Sequence, residues 1–377
     1  MRLTIASFTA LALVVGACTD DMAPMAEPEP EPGLAIRITA TIPPGSEAEY
    51  CKFVTVPETW VTKDYIEYTP GSHHAGVMQT PYTSIPTQKE DGTPVDTSGV
   101  FDCSEGVLSS WRFTKIVGGS VNAGAASILA FPDGVGMRIG GVLLMNAHYR
   151  NGSDAPLVAD VQISFDTTTA DQIVYEGDLL GIYNPLIAVP ARGTARARMR
   201  CPIYRDITIA TTQSHMHERG VGFRASINDQ APYYVHDRWQ DVPVGYYESL
   251  HAKAGSVLDF SCDYRNTEDR RVYMGLRTTD EMCVVTGTYY PADPRISSCL
   301  DETGKVFGGD WIGEGTATCQ QTMDCLAQAQ GLSATADCML AASPAVSHES
   351  SEVFRCFLRA QEPELECGLQ IQACAAR

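Results

Sequence analysis

The sequence predicts an all-β protein of two β-sandwich domains in tandem, followed by a small disulfide-stapled α-helical module at the C-terminus. Three observations carry this. From about Leu34 to Pro294 the chain is a succession of short runs rich in Val, Ile, Tyr and Thr, such as LAIRITATI, VLLMNAHY, LVADVQISF, RDITIATTQ and VYMGLR. Turn-forming clusters such as NGSDAP, PDGVG and NTED separate them, and no stretch there has a helical period. Strands without intervening helices bury their apolar faces sheet on sheet. Beyond residue 300 the composition turns to Ala, Gln and Leu, and six of the thirteen cysteines crowd into the tail.

The first 18 residues, MRLTIASFTALALVVGAC, place a basic Arg2 before an apolar run from Leu3 to Val15 and then Val-Gly-Ala-Cys. This has the form of a bacterial lipoprotein signal, with Cys18 becoming the lipidated first residue. The run is too short and wrongly flanked for a transmembrane helix. An ordinary cleaved secretory signal is the alternative, and it leaves Cys18 without a role. Residues 19–33, TDDMAPMAEPEPEPG, are acidic and proline-rich, a composition that cannot bury apolar surface and reads as a tether. Thr19, directly after the cysteine, fits sorting to an outer membrane or cell surface. The protein is therefore expected to be exported and lipid-anchored.

The first sandwich is expected over 34–188 and the second over 189–300. The boundary is set by the prolines and glycine of NPLIAVPARG at 184–193. The Cys-rich module takes 301–377. Setting Cys18 aside leaves twelve cysteines, the even number expected of disulfides in an oxidising compartment. Cys51, Cys103, Cys201, Cys262, Cys283 and Cys299 are widely spaced. Cys319, Cys325, Cys338, Cys356, Cys367 and Cys374 lie together on short helical segments too small to build a core unaided. These tail cysteines lack the paired C-x-x-C knuckles of a zinc site. The module could serve as a protein contact. A net charge of −19 argues against nucleic-acid partners, and the alternating Arg196, Arg198 and Arg200 read as a solvated strand face.

Five of the eight histidines fall in three places: GSHHAGV with His73 and His74, LMNAHYRNGSD with His148, and QSHMHERG with His215 and His217. Residues i and i+2 of a strand share a face, so His215 and His217 could reach one metal ion. Alone, that spacing is a weak signal and fits a surface strand face better. Adjacent His73 and His74 should point to opposite faces unless a bend or bulge intervenes, which Gly71 permits. Met282, beside Cys283 in TTDEMCVVTGTYYP, is a core filler on one reading and a soft ligand for Cu(I) on another.

The order HH, HYRN, H-x-H, DEMC resembles the copper type II, ascorbate-dependent monooxygenases, the family of peptidylglycine α-hydroxylating and dopamine β-monooxygenases. FPDGVGMRIGG and CDYRNTEDRRVYMGLRTTDEMC extend the resemblance over roughly residues 50 to 295, and DEMC is its most specific element. The resemblance implies two antiparallel, jelly-roll-like β-sandwiches, each holding one copper, across a solvent-filled cleft. It assigns His73, His74 and His148 to an electron-transfer copper, and His215, His217 and Met282 to the copper that activates dioxygen. It also implies the disulfides Cys51–Cys103, Cys201–Cys299 and Cys262–Cys283. The reaction implied is hydroxylation of a substrate C–H bond with dioxygen and ascorbate or another one-electron donor.

Three positions depart from the peptide-amidating members. Gln213 stands where an arginine anchors a peptide carboxylate, and Val284 and Thr286 replace an asparagine and a tyrosine. Peptide amidation is therefore not the expected reaction, and the substrate is left as a small organic molecule. Two other functions fit the same sequence: a copper-binding surface lipoprotein without turnover, and an adhesion or assembly protein that uses the sandwiches as scaffold.

Overall fold

The computed structural model describes residues 33–70, 72–120 and 127–377, apart from the side chains of Ser72, His73, Leu108 and Glu364. The expected leader with Cys18, and the tether up to residue 32, lie outside the described residues. Among the described residues no helix is long and apolar enough to cross a membrane. The fold is all-β, with antiparallel sheets and a small helical C-terminal part.

The first sandwich is built on one long strand, Glu47–Tyr68. Its first part pairs with Val135–Arg150 and its second with Leu157–Thr168. The strand thus passes from one layer of an eight-stranded sheet to the other, folding that sheet on itself. The register shifts between Val56 and Thr59, around Pro57, whose ring nitrogen has no hydrogen to give to a ladder. Beyond Val135–Arg150 the layer continues through Ser72–Gln79 to Lys115–Ser120. Ile38 and Ile163 of one layer meet Val77 and Met145 of the other in the core.

Asp64, in the second part of the long strand, is 1% exposed and accepts the N–H groups of Gly119 and Leu129. It ties Gly119 and Leu129 to the long strand. Burial pushes its carboxyl up to about 7 from 3.8. The folded state therefore holds this proton through a pH range in which the unfolded chain has lost it. The resulting stability is complete below 3.8 and is lost as pH rises through about 7. Asp64→Asn should remove this part of the slope in urea midpoints followed across that range. It should also lower stability by about 1–3 kcal/mol, because one of the two N–H donors then faces an amide NH2.

The second sandwich opposes a five-stranded and a four-stranded sheet. The four-stranded sheet runs Gly245–Ala252, Ile207–Met216, Cys283–Tyr290, Asp178–Tyr183. Met199, Phe223 and Phe260 from one sheet bury against Ile209, Val285 and Tyr289 from the other. Disulfide Cys262–Cys283 joins the two sheets, Cys201–Cys299 closes the end of the strand Thr194–Pro202, and Cys51–Cys103 lies in the first sandwich.

The boundary expected between 188 and 189 requires correction at both ends of the second sandwich. Asp178–Tyr183 forms its ladder with Cys283–Tyr290, so it belongs to the second sandwich. The prolines and glycine at 184–193 lie within that sandwich, flanking the short strand Ala188–Val189. Asp310–Ile312, expected in the tail module, pairs with Thr194–Pro202 in the five-stranded sheet.

The tail helices Cys319–Leu326, Gly331–Ala341, Ser347–Arg359, Pro363–Glu366 and Gly368–Ala375 are bridged by Cys319–Cys374, Cys325–Cys338 and Cys356–Cys367. Thr318 and Gln321 cap the first of them reciprocally, each side chain accepting the other's backbone N–H. The helices do not stand apart. Ala336 and Met339 enter the core of the second sandwich, and Trp311 packs edge-on against Phe307 and Phe354. Arg355, 5% exposed, pairs with Asp310 at 2.9 Å.

Candidate metal centre

His215 is the penultimate residue of the strand Ile207–Met216 and lies opposite Val284 in the ladder, and Met216 lies opposite Cys283. Met216 points into the apolar core, so His215 and His217 share the other face. Their ring centroids are 5.1 Å apart, and both are buried. His217 Nδ1–H donates to the Asp280 carbonyl at 3.0 Å. Since a carbonyl only accepts, the neutral ring carries its lone pair on Nε2. Burial lowers the pKa of His217 to about 4, which keeps it neutral at physiological pH.

The DEMC segment is pinned to the histidine segment by more than that carbonyl. Glu281 has no exposed surface and accepts the backbone N–H of His217 at 3.1 Å and of Arg219 at 2.9 Å. Arg219 is itself buried, with its guanidinium against Glu281 and Glu268. Burial pushes Glu281 up to about 7, against the pull of these donors. Tyr264 donates its hydroxyl to the Met282 carbonyl at 2.7 Å, and the next residue, Cys283, is held by its disulfide. The backbone of Met282 is therefore fixed on both sides and by its own oxygen.

In the first sandwich His74 lies opposite His148, and their ring centroids are 4.9 Å apart. The ladder steps from Ser72 opposite Tyr149 directly to His74 opposite His148, so His73 is the extra residue of a bulge. The side chain of His73 lies outside the described residues. His148 Nε2 meets Glu47 Oε1 at 2.7 Å, and this bond holds the Glu47 carboxyl down to about 2. Glu47 also accepts the Thr278 hydroxyl of the second sandwich at 3.2 Å, so one carboxylate spans both sandwiches.

The two histidine sets face each other. The His74 ring centroid is 6.4 Å from that of His215. Beside them is a cavity of about 480 Å³ lined by His74, His215 and Met282, with apolar walls from both sandwiches that include Met78, Phe113 and Leu179. Among the described residues no three His, Cys, Asp or Glu side chains converge as a metal cluster. One expected set includes His73, whose side chain is not described, and the other completes itself with a thioether.

The donor chemistry fits copper. His148 and His217 each give one ring N–H to a carboxylate or carbonyl, the arrangement that orients a metal-binding imidazole and leaves its second nitrogen as the ligand. Sequence reasoning quoted DEMC and HERG but gave no role to Glu281 or Arg219. The signal for Glu281 was an acidic residue at the entry of an apolar strand. For Glu47 there was none, because it stands 101 residues from His148.

Imidazole and thioether side chains from two β-sandwiches are donor types suited to a redox metal. Residues 179–307 match the family model for the C-terminal domain of the copper type II ascorbate-dependent monooxygenases. The match begins within the strand Asp178–Tyr183, where the second sandwich begins. No curated protein matches the chain.

Proposed function

We propose that this chain is an exported, lipid-anchored copper monooxygenase. It hydroxylates a C–H bond of a small organic substrate, using dioxygen and ascorbate or another one-electron donor. One copper would be held by His215, by His217 through Nε2, and by Met282. A second would be held by His73, His74 and by His148 through Nδ1, since its Nε2 is given to Glu47. Copper bound there supplies one-electron redox chemistry and activation of dioxygen. The chain's own residues hold the ring protons away from the ligand atoms, fix the Met282 backbone and line a largely apolar space. The observation that carries this reading is the approach of His74 to His215 beside that cavity. Cys18 is the anchor in this proposal, and the Cys-rich tail is a buttress of the second sandwich that also offers a protein contact.

The test is to load the mature protein with copper, count the bound metal and follow ascorbate-dependent oxygen uptake with candidate C–H substrates. Two coppers per chain with uptake coupled to product are expected. Two coppers without uptake over a broad substrate panel would leave a copper-binding lipoprotein, and no bound copper overturns both.

A further inference from the structure

The loop 274–282 carries several of the contacts that build the site. Leu276 lines the cavity, the Thr278 hydroxyl reaches Glu47 of the first sandwich, and the Asp280 carbonyl receives the His217 ring N–H. Met282 then supplies the thioether. Two backbone bonds close this loop at its base: the Glu281 N–H donates to the Tyr273 carbonyl at 3.0 Å, and the Gly275 N–H to the Glu281 carbonyl at 3.1 Å. The loop therefore sits where the strand Val272–Tyr273 is held. That strand pairs with Ala188–Val189 over two residues, too short a ladder to be firm by itself. Further hold comes from the tail. Asp337, on the helix Gly331–Ala341, accepts the Tyr273 hydroxyl at 2.8 Å and pairs with Arg271 at 2.6 Å. The Arg271 guanidinium also lies 5.8 Å from the Tyr273 ring centroid. Asp337 is placed by its own neighbours, since Ala336 and Met339 enter the core of the second sandwich and Cys338 is bridged to Cys325.

We infer that Asp337 is a positioning residue for the metal centre. Through Tyr273 it fixes the base of the loop 274–282, so the disulfide-stapled tail sets how Asp280 and Met282 approach the histidines. Asp337 lies beyond residues 179–307, so this role belongs to the part of the chain that the matched domain does not contain. The inference rests on the copper reading for what the loop positions. Its reach is modest by comparison with Glu281, which touches the backbone of His217 directly. The Asp337 and Arg271 side chains are 38% and 45% exposed, so their ion pair adds little to overall stability. What it changes is the local freedom of a loop held by few bonds.

Hydrogen–deuterium exchange of the metal-free full chain, read by mass spectrometry, reports on the loop without turnover. Asp337→Ala should speed exchange in peptides covering 274–282 by about 3- to 10-fold and leave the strand Val135–Arg150 of the first sandwich unchanged. Tyr273→Phe removes the hydroxyl, keeps the ring and should act in the same direction. Added to Asp337→Ala, it should have little further effect, because both remove the same bond. Asp337→Asn keeps an acceptor for the hydroxyl and should restore most of the protection. In the copper-loaded chain, competition with a chromophoric Cu(I) chelator should find the methionine-containing set of Asp337→Ala weakened by about 3- to 10-fold and the three-histidine set unaltered. A carboxylate that serves only the tail would lower the melting temperature while loop exchange and copper affinity stay as in the parent. That result overturns the inference, as does acceleration spread evenly over the chain, or faster loop exchange with unchanged copper affinity. A parent chain that binds no copper overturns the copper reading instead, and exchange in the metal-free chain still decides whether Asp337 holds the loop.

Discussion

Met282→Ile is expected to cut ascorbate-dependent oxygen uptake by roughly 100-fold or more while the protein still folds. Met282 is partly buried and lines the cavity beside His215. Isoleucine keeps its volume and suits the start of a strand, so the stability cost should stay below about 1.5 kcal/mol. The anchors of this backbone would survive, because Tyr264 binds the residue 282 carbonyl and the disulfide holds Cys283. Only the thioether is lost, and with it the soft donor that favours reduced copper. Copper retained per chain after dialysis should fall toward one, with the three-histidine set of the first sandwich still loaded. Undiminished product formation by this variant would refute the assignment of Met282.

Glu281→Ala should cause the second large effect, this time on stability and metal affinity together. Removing this fully buried carboxylate leaves the N–H groups of His217 and Arg219 without an acceptor and takes one partner from a buried guanidinium. Breaking such a buried pair costs about 3–5 kcal/mol, and Glu268, still against Arg219, should keep the loss near the lower end. His217 would lose the bond that sets its backbone, so copper affinity of the His215–His217–Met282 set should drop by about 10- to 100-fold. Glu281→Gln keeps the shape and one acceptor and should fall between the parent and the alanine variant. Urea midpoints and copper titration measure the two effects. An unchanged midpoint for Glu281→Ala would show that the carboxylate does not carry the junction between the two segments.

Much of the site was legible because its elements are short and local. The i, i+2 spacing of His215 and His217 on a strand is enough to place both rings on one face, and the core-facing Met216 between them agrees. The departure at Gln213 was also legible as a residue type. Where its side chain goes was not, since the Val242 carbonyl that receives it lies in a loop 29 residues further along the chain. The roles of Glu281, Arg219 and Glu47 were hidden for the same reason: a carboxylate's value depends on which N–H groups the fold brings to it.

The sequence by itself determined the strand-rich character of the chain, the helical character of its tail and the residue types that could bind copper. Alternation of side chains and turn chemistry act within a few residues, so they can be read in order along the chain. The tertiary structure decided which sandwich owns Asp178–Tyr183 and Asp310–Ile312, that the tail helices share the second core, and that His74 comes to face His215. Strand pairing and sheet packing join residues far apart in the chain, and no local pattern records which partner a buried edge will find.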